Sequence, residues 1–140
     1  MSSFINTNVL VRHLVGDPPD MARRATAFLA TEKLLFLADL IVAETVYVLE
    51  SFYEIDRYRI AVAMRSLLAM ESVRVIDAPL LLRAIALYED QRLDFADAYL
   101  VACAEITGVT RVASFDKAIG HIPTAERVAL TRVGGNNDTI

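Results

Sequence analysis

Val73-Arg74-Val75-Ile76-Asp77-Ala78-Pro79 passes from one kind of chain to another within seven residues. The first four alternate apolar and other positions or stay apolar, as a short strand does. Pro79 suits the first turn of a helix, where a missing N–H costs nothing, and the helical pattern then runs to about residue 92. The same strand-then-helix grammar extends in both directions. Downstream, Asp94 stands where a cap would open a helix to about residue 107, and Gly108 suits its end. Residues 109–114 read as a strand, 116–119 as a helical turn and 127–133 as a last strand. Upstream, Phe4-Ile5-Asn6 reads as a buried strand, with Thr7-Asn8 as turn or cap and 9–15 as a short helix. Gly16-Asp17-Pro18-Pro19 breaks the chain. Asp20 is then expected to cap a helix to about residue 31. Residues 34–37 read as a strand and 39–53 as a long helix, and Asp56 caps another from 57 to about 70. Strands alternating with helices predict an α/β fold with a mostly parallel sheet covered on both faces. Residues 1–133 are expected to form a single domain, with 134–140, polar and rich in Gly and Asn, as a disordered tail.

Composition narrows the function classes. The 140 residues are 55% hydrophobic, with 14 basic and 18 acidic residues and a net charge of −4. No apolar run approaches the roughly 20 residues of a membrane span, and the N-terminus has no signal-peptide pattern. A soluble cytoplasmic protein whose surplus apolar surface meets a partner chain is expected. The acidic balance argues against a general charge-driven nucleic-acid binder. It leaves room for an enzyme that gathers carboxylates around metal. Cys103 is the single cysteine, and His13 and His121 stand apart, so no disulfide, zinc cluster or nucleophile–histidine pair is in view. No Gly-rich phosphate-binding motif is present.

Polar residues at strand ends deserve a different reading, because ligands in parallel sheets bind beyond the carboxyl ends of the strands. Asn6 follows the first strand. Asp94 and Asp97 open a later helix, and Asp116 lies just beyond Ser114 at the end of the next strand. Each has a plain structural role available as a cap or first-turn acid. Glu44 lies in one helical row with Leu40, Val48 and Phe52, which places a carboxylate in an apolar stripe where it needs a partner. Taken together, these are oxygen ligands of the kind that hold Mg²⁺ or Mn²⁺.

The sequence resembles a known family at four places. Residues 4–12, Phe-Ile-Asn-Thr-Asn-Val-Leu-Val-Arg, resemble the opening of VapC-type PIN-domain ribonuclease toxins, whose usual form is I-D-T-N-V-L-V-R. Val42-Ala43-Glu44-Thr45-Val46-Tyr47-Val48-Leu49 resembles the second motif. Asp94-Phe95-Ala96-Asp97-Ala98-Tyr99-Leu100-Val101-Ala102 resembles the third, and Ser114-Phe115-Asp116-Lys117 the fourth. The motifs occur in family order. The resemblance implies a three-layer α/β/α sandwich with a central mostly parallel sheet, and cleavage of structured RNA, tRNA or rRNA, with Mg²⁺ or Mn²⁺. It implies a homodimer and a cognate antitoxin. By it, Glu44, Asp97 and Asp116 hold metal and orient water, while Asp94, Thr7 and Ser114 are secondary and Arg12 is a rim contact.

Position 6 departs from the pattern. The family has a metal-binding aspartate there, and asparagine keeps a carbonyl oxygen without the charge. Two unit charges about 4 Å apart interact by about 4 kcal/mol at an effective dielectric near 20, and a divalent ion doubles that. Weak metal binding and little cleavage are therefore expected. Such a residue is what an inactivating change in a toxic nuclease would leave. The alternative is a non-catalytic PIN-like module that binds RNA or an antitoxin.

Overall fold

Five short strands and six helices follow one another in the computed structural model, which describes residues 1–134. The strands are β1 (Ser2–Phe4), β2 (Leu34–Phe36), β3 (Val73–Arg74), β4 (Arg111–Ala113) and β5 (Glu126–Val128). The helices are α1 (Thr7–Val15), α2 (Pro19–Thr31), α3 (Asp39–Ser51), α4 (Arg57–Leu68), α5 (Ala78–Asp90) and α6 (Phe95–Thr107). A 3₁₀ turn covers Lys117–His121. All pairing among the described residues is parallel. β2 lies between β1 and β3 in one ladder, and β4 pairs with β5 in another. Of the expected tail, residues 135–140 lie outside the described residues.

The strands are shorter than the apolar pattern suggested. Residues 73–76 read as one strand, yet the ladder holds only Val73 and Arg74, because β2 offers partners only to those two. The last strand runs from Glu126 to Val128 rather than to residue 133, since β4 supplies three partners. Three α-helices start at side-chain caps, Asn6 before α1 and two aspartates. Asp56 accepts from the Arg59 N–H at 2.9 Å, and Asp77 from the Leu80 N–H at 3.1 Å. α5 begins at Ala78, one residue before the expected Pro79, which stays in the first turn. Asp20 does not cap α2. That helix begins at Pro19, and Asp20 sits in its first turn paired with exposed Arg24 at 3.4 Å.

The core joins all six helices to the sheet. Leu10, Leu35, Leu49, Ile60, Leu81, Ala98 and Ile119 are essentially closed to solvent. Full burial of a side chain the size of Leu or Ile contributes about 1.5–3 kcal/mol. A polar knot anchors the approach to α6. The Arg57 guanidinium lies over the Tyr88 ring, 4.1 Å from its centre, and donates to the backbone carbonyls of Tyr88 and Leu93. The Tyr88 hydroxyl donates to Glu50, and its ring meets Phe95 edge-on at 6.0 Å. One buried tyrosine thus ties α3, α4 and α5 to the turn from which α6 starts. No described helix is long and apolar enough to cross a membrane.

Candidate active site

Asn6 stands one residue beyond β1's last buried neighbour, Ile5, whose N–H donates to the Phe36 carbonyl at 3.0 Å. Backbone pairing therefore holds the end of β1 in place. Asn6 is the N-cap of α1, and its side-chain oxygen accepts from the Thr7 N–H at 2.7 Å. The expected turn role is met, with the side chain exposed. Thr7 is buried, and its hydroxyl has no protein partner. An unpaired buried hydroxyl is costly, and this one lies directly beside Asn6.

The carboxylates of α6 and the fourth motif converge. Asp97 sits in the first turn of α6, part-buried, and its pKa is raised. Burial disfavours its charge first, then a hydrogen bond from Asp97 to Asp116, then the charges of Asp116 and Asp94. These groups face one another closely enough to compete for protons. Asp116 is fixed from two sides. Its N–H donates to the Ser114 hydroxyl at 2.9 Å, and its carboxylate accepts from the Ala118 N–H at 2.9 Å. Ser114 therefore shapes the loop that presents Asp116.

Asp94 was expected to cap α6 through its side chain. It occupies the N-cap position, and its backbone carbonyl takes the Ala98 N–H at 2.9 Å, yet its carboxylate makes no capping bond and is exposed. That leaves the carboxylate free to lie near Asp97. None of the ion pairs among the described residues uses Asp94, Asp97 or Asp116.

Glu44 corrects the sequence reading in a second way. Its row is not buried. Leu40 is 74% exposed and Phe52 76%, and Glu44 itself faces solvent. The packed face of α3 carries Val42, Thr45, Val46 and Leu49. This helix is apolar nearly all round, so periodicity alone could not tell its inner face from its outer one. The apolar-stripe argument for Glu44 thus falls away.

Sequence reasoning passed over Asp39 and Tyr99. Asp39 opens α3 just after β2, and one of its oxygens accepts from the Tyr99 hydroxyl of α6, while the other is buried without a partner. That bond, then burial, raises the Tyr99 pKa. The signal was available: an acid in the first turn of a helix, as Asp97 also is. His13 bonds instead to Thr26 at 2.8 Å, and Cys103 packs part-buried against the core.

The profile of the PIN domain matches residues 3–124. The chain belongs to the PIN domain family. PIN domains are generally metal-dependent nucleases that cut phosphodiester bonds, and the α/β architecture with its parallel strands is that of the PIN fold. A search among curated proteins found no match. The donors in this PIN domain suit a hard cation in kind, being carboxylate, carbonyl and hydroxyl oxygens. Among the described residues, no group of three or more His, Cys, Asp or Glu is arranged to hold a metal ion.

A stability effect follows from the facing acids. Because the folded-state pKa of Asp97 is raised, the native chain binds that proton more tightly than the unfolded chain. Stability is therefore lost as pH rises from the ordinary carboxylate range through the raised value, and is flat above it. Asp97→Asn removes that loss. Without metal, thermal denaturation at pH 7 should show a Tm about 1–3 °C higher than the parent, a small gain because the site is partly solvated. The difference should shrink as pH falls toward about 4 and be absent below it. A lower Tm for the variant at pH 7 would mean that Asp97 is held by favourable contacts.

Proposed function

We propose that this PIN domain is a metal-dependent endoribonuclease of the VapC toxin type, weakened by Asn6. It comprises one domain over residues 1–133 and acts in the cytoplasm on tRNA or rRNA. The reading rests on one observation above the others: Asp97 and Asp116 face each other, with Asp94 beside them and, among the described residues, no basic partner in an ion pair. Acids in that arrangement cost folding free energy and are kept where a cation offsets them.

In this reading Asp97 and Asp116 are the charged ligands, and Asn6 offers its side-chain carbonyl oxygen. Bound Mg²⁺ or Mn²⁺ supplies an activated water and charge neutralisation at the phosphodiester. Ser114 keeps Asp116 presented, and the unpaired Thr7 hydroxyl is free to bond to a ligand oxygen beside Asn6. Glu44, on the solvent face of α3, orients water or substrate rather than forming a buried ligand. Asp94 is a secondary ligand.

The neutral Asn6 favours a second reading, a non-catalytic module that binds RNA or an antitoxin. Exposed Leu40 and Tyr47 on α3 and Phe52 at its C-cap, with Leu100 on α6, support partner contacts: a homodimer and a cognate antitoxin in our reading.

Cleavage separates the two. Total tRNA and rRNA would be incubated with the chain and with Asn6→Asp, in Mg²⁺ or Mn²⁺ and in EDTA. We expect cleavage by the aspartate form alone, stopped by EDTA. If a folded, metal-binding Asn6→Asp protein leaves both RNAs intact, the nuclease reading fails in favour of the binding module.

A further inference from the structure

We propose that the groove between the end of β1, α1 and α2 is a nucleotide subsite, which holds one unpaired base of an RNA beside Asn6. This inference rests on the nuclease reading and specifies where its substrate lies. The groove has a volume of about 380 Å³, within the range of small-molecule sites. Asn6 forms part of its wall, with Phe4, Phe28, Met21, Arg12 and Arg24. A nuclease with its first metal-site position on the wall of a groove must place a nucleotide next to the phosphate it cuts. The groove is the space that Asn6 opens on.

Its chemistry fits that occupant in two parts. Phe4 is 78% exposed and rests against Phe36, with ring centres 5.4 Å apart. Phe28 and Met21 are also exposed. Exposed aromatic faces accept unpaired bases by stacking, without regard to sequence. The charge on the wall is positive. Arg12 is steadied by the Tyr53 hydroxyl at 3.3 Å, while its Nε is buried without a partner. Arg24 is paired only with exposed Asp20, at 3.4 Å, and so weak a surface pair yields readily to phosphate. The chain as a whole is acidic, so a cationic wall on its largely apolar groove sets this place apart. Base and phosphate together match the aromatic and guanidinium pair better than either an apolar or an anionic ligand alone.

The chain as it stands suits a binding test, because Asn6 keeps cleavage low. Fluorescence anisotropy would follow a 5′-labelled single-stranded hexaribonucleotide in EDTA. Phe4→Leu and Phe28→Leu keep apolar bulk but remove the stacking face, so the fold is spared. Each should weaken binding by about tenfold. Arg24→Gln should weaken it several-fold and flatten the salt dependence by about one phosphate contact. Arg83→Gln, whose partner is Glu105 on α6, should bind as the parent does. The proposal is overturned if the RNA does not bind, or binds equally to all variants. It is also overturned if an acidic apolar peptide saturates the groove and the RNA does not compete. Repeating the series in Asn6→Asp separates the two readings. Cleavage unaffected by both phenylalanine changes sinks the subsite and leaves the nuclease. Groove-dependent binding without any cleavage sinks the nuclease and leaves the subsite.

Discussion

Asn6→Asp will tighten Mn²⁺ binding by at least about tenfold, measured by titration calorimetry, and will make the metal a stabiliser of the fold. The substitution isolates charge. Aspartate and asparagine cap helices about equally well, and the cap bond from the Thr7 N–H needs only an oxygen. What changes is a full negative charge at the end of β1. Its attraction to a divalent ion several ångströms away is large even at an effective dielectric near 20. Desolvation offsets much of it, but about 1.4 kcal/mol is enough for tenfold. Without metal, the variant should melt close to the parent, because aspartate and asparagine cap about equally well and the bond from the Thr7 N–H is kept. At a free Mn²⁺ concentration of about 100 times Kd the gain is about 2.7 kcal/mol. That corresponds to a rise in Tm on the order of 10 °C for a chain of this size. Equal Mn²⁺ affinity in the two folded proteins would show that position 6 is not a ligand, whatever the RNA assays give.

Tyr88→Ala is expected to cost about 3–5 kcal/mol and to lower Tm by on the order of 10–15 °C. Tyr88 is 1% exposed, so truncation leaves a cavity in the middle of the core. It also strips three contacts at once: the Arg57 guanidinium over its ring, the hydroxyl bond to Glu50 and the edge contact with Phe95. Arg57 keeps its bonds to backbone carbonyls but loses the ring beneath it. Tyr88→Phe retains the ring and should cost only about 1 kcal/mol, the worth of one hydrogen bond. Calorimetric melting of the three proteins decides the matter. If Tyr88→Phe is as damaging as Tyr88→Ala, the Glu50 bond rather than ring packing holds the knot. The knot lies just before Asp94, so Tyr88→Ala in the Asn6→Asp background should also weaken Mn²⁺ binding, by disordering the start of α6.

Much of this was legible in the chain and some was not, for reasons visible residue by residue. Gly108 ends α6 in the left-handed conformation that glycine adopts freely, and Asp56 bonds the first turn of α4. Both act within a few residues, so the sequence announces them. The Leu40–Glu44 row shows the opposite case. Its exposure depends on what packs against α3, and an all-apolar helix carries no mark of its inner side. Asp94 looked like a capping side chain because aspartate usually is one, yet its backbone alone does the capping. Asp39 and Tyr99 are 60 residues apart in sequence, and nothing in either neighbourhood names the other.

The sequence by itself determined the order of strands and helices, most helix ends and four motifs that place the chain among PIN domains. These rest on backbone preferences and side chains acting within a turn or two. Only the tertiary structure decided which carboxylates meet. It brought Asp97 to Asp116, turned Glu44 outward, left the Thr7 hydroxyl unpaired and opened a groove beside Asn6. Those outcomes depend on how distant segments pack. A side chain's burial and its charged neighbours are properties of the packed whole, and no local pattern encodes them.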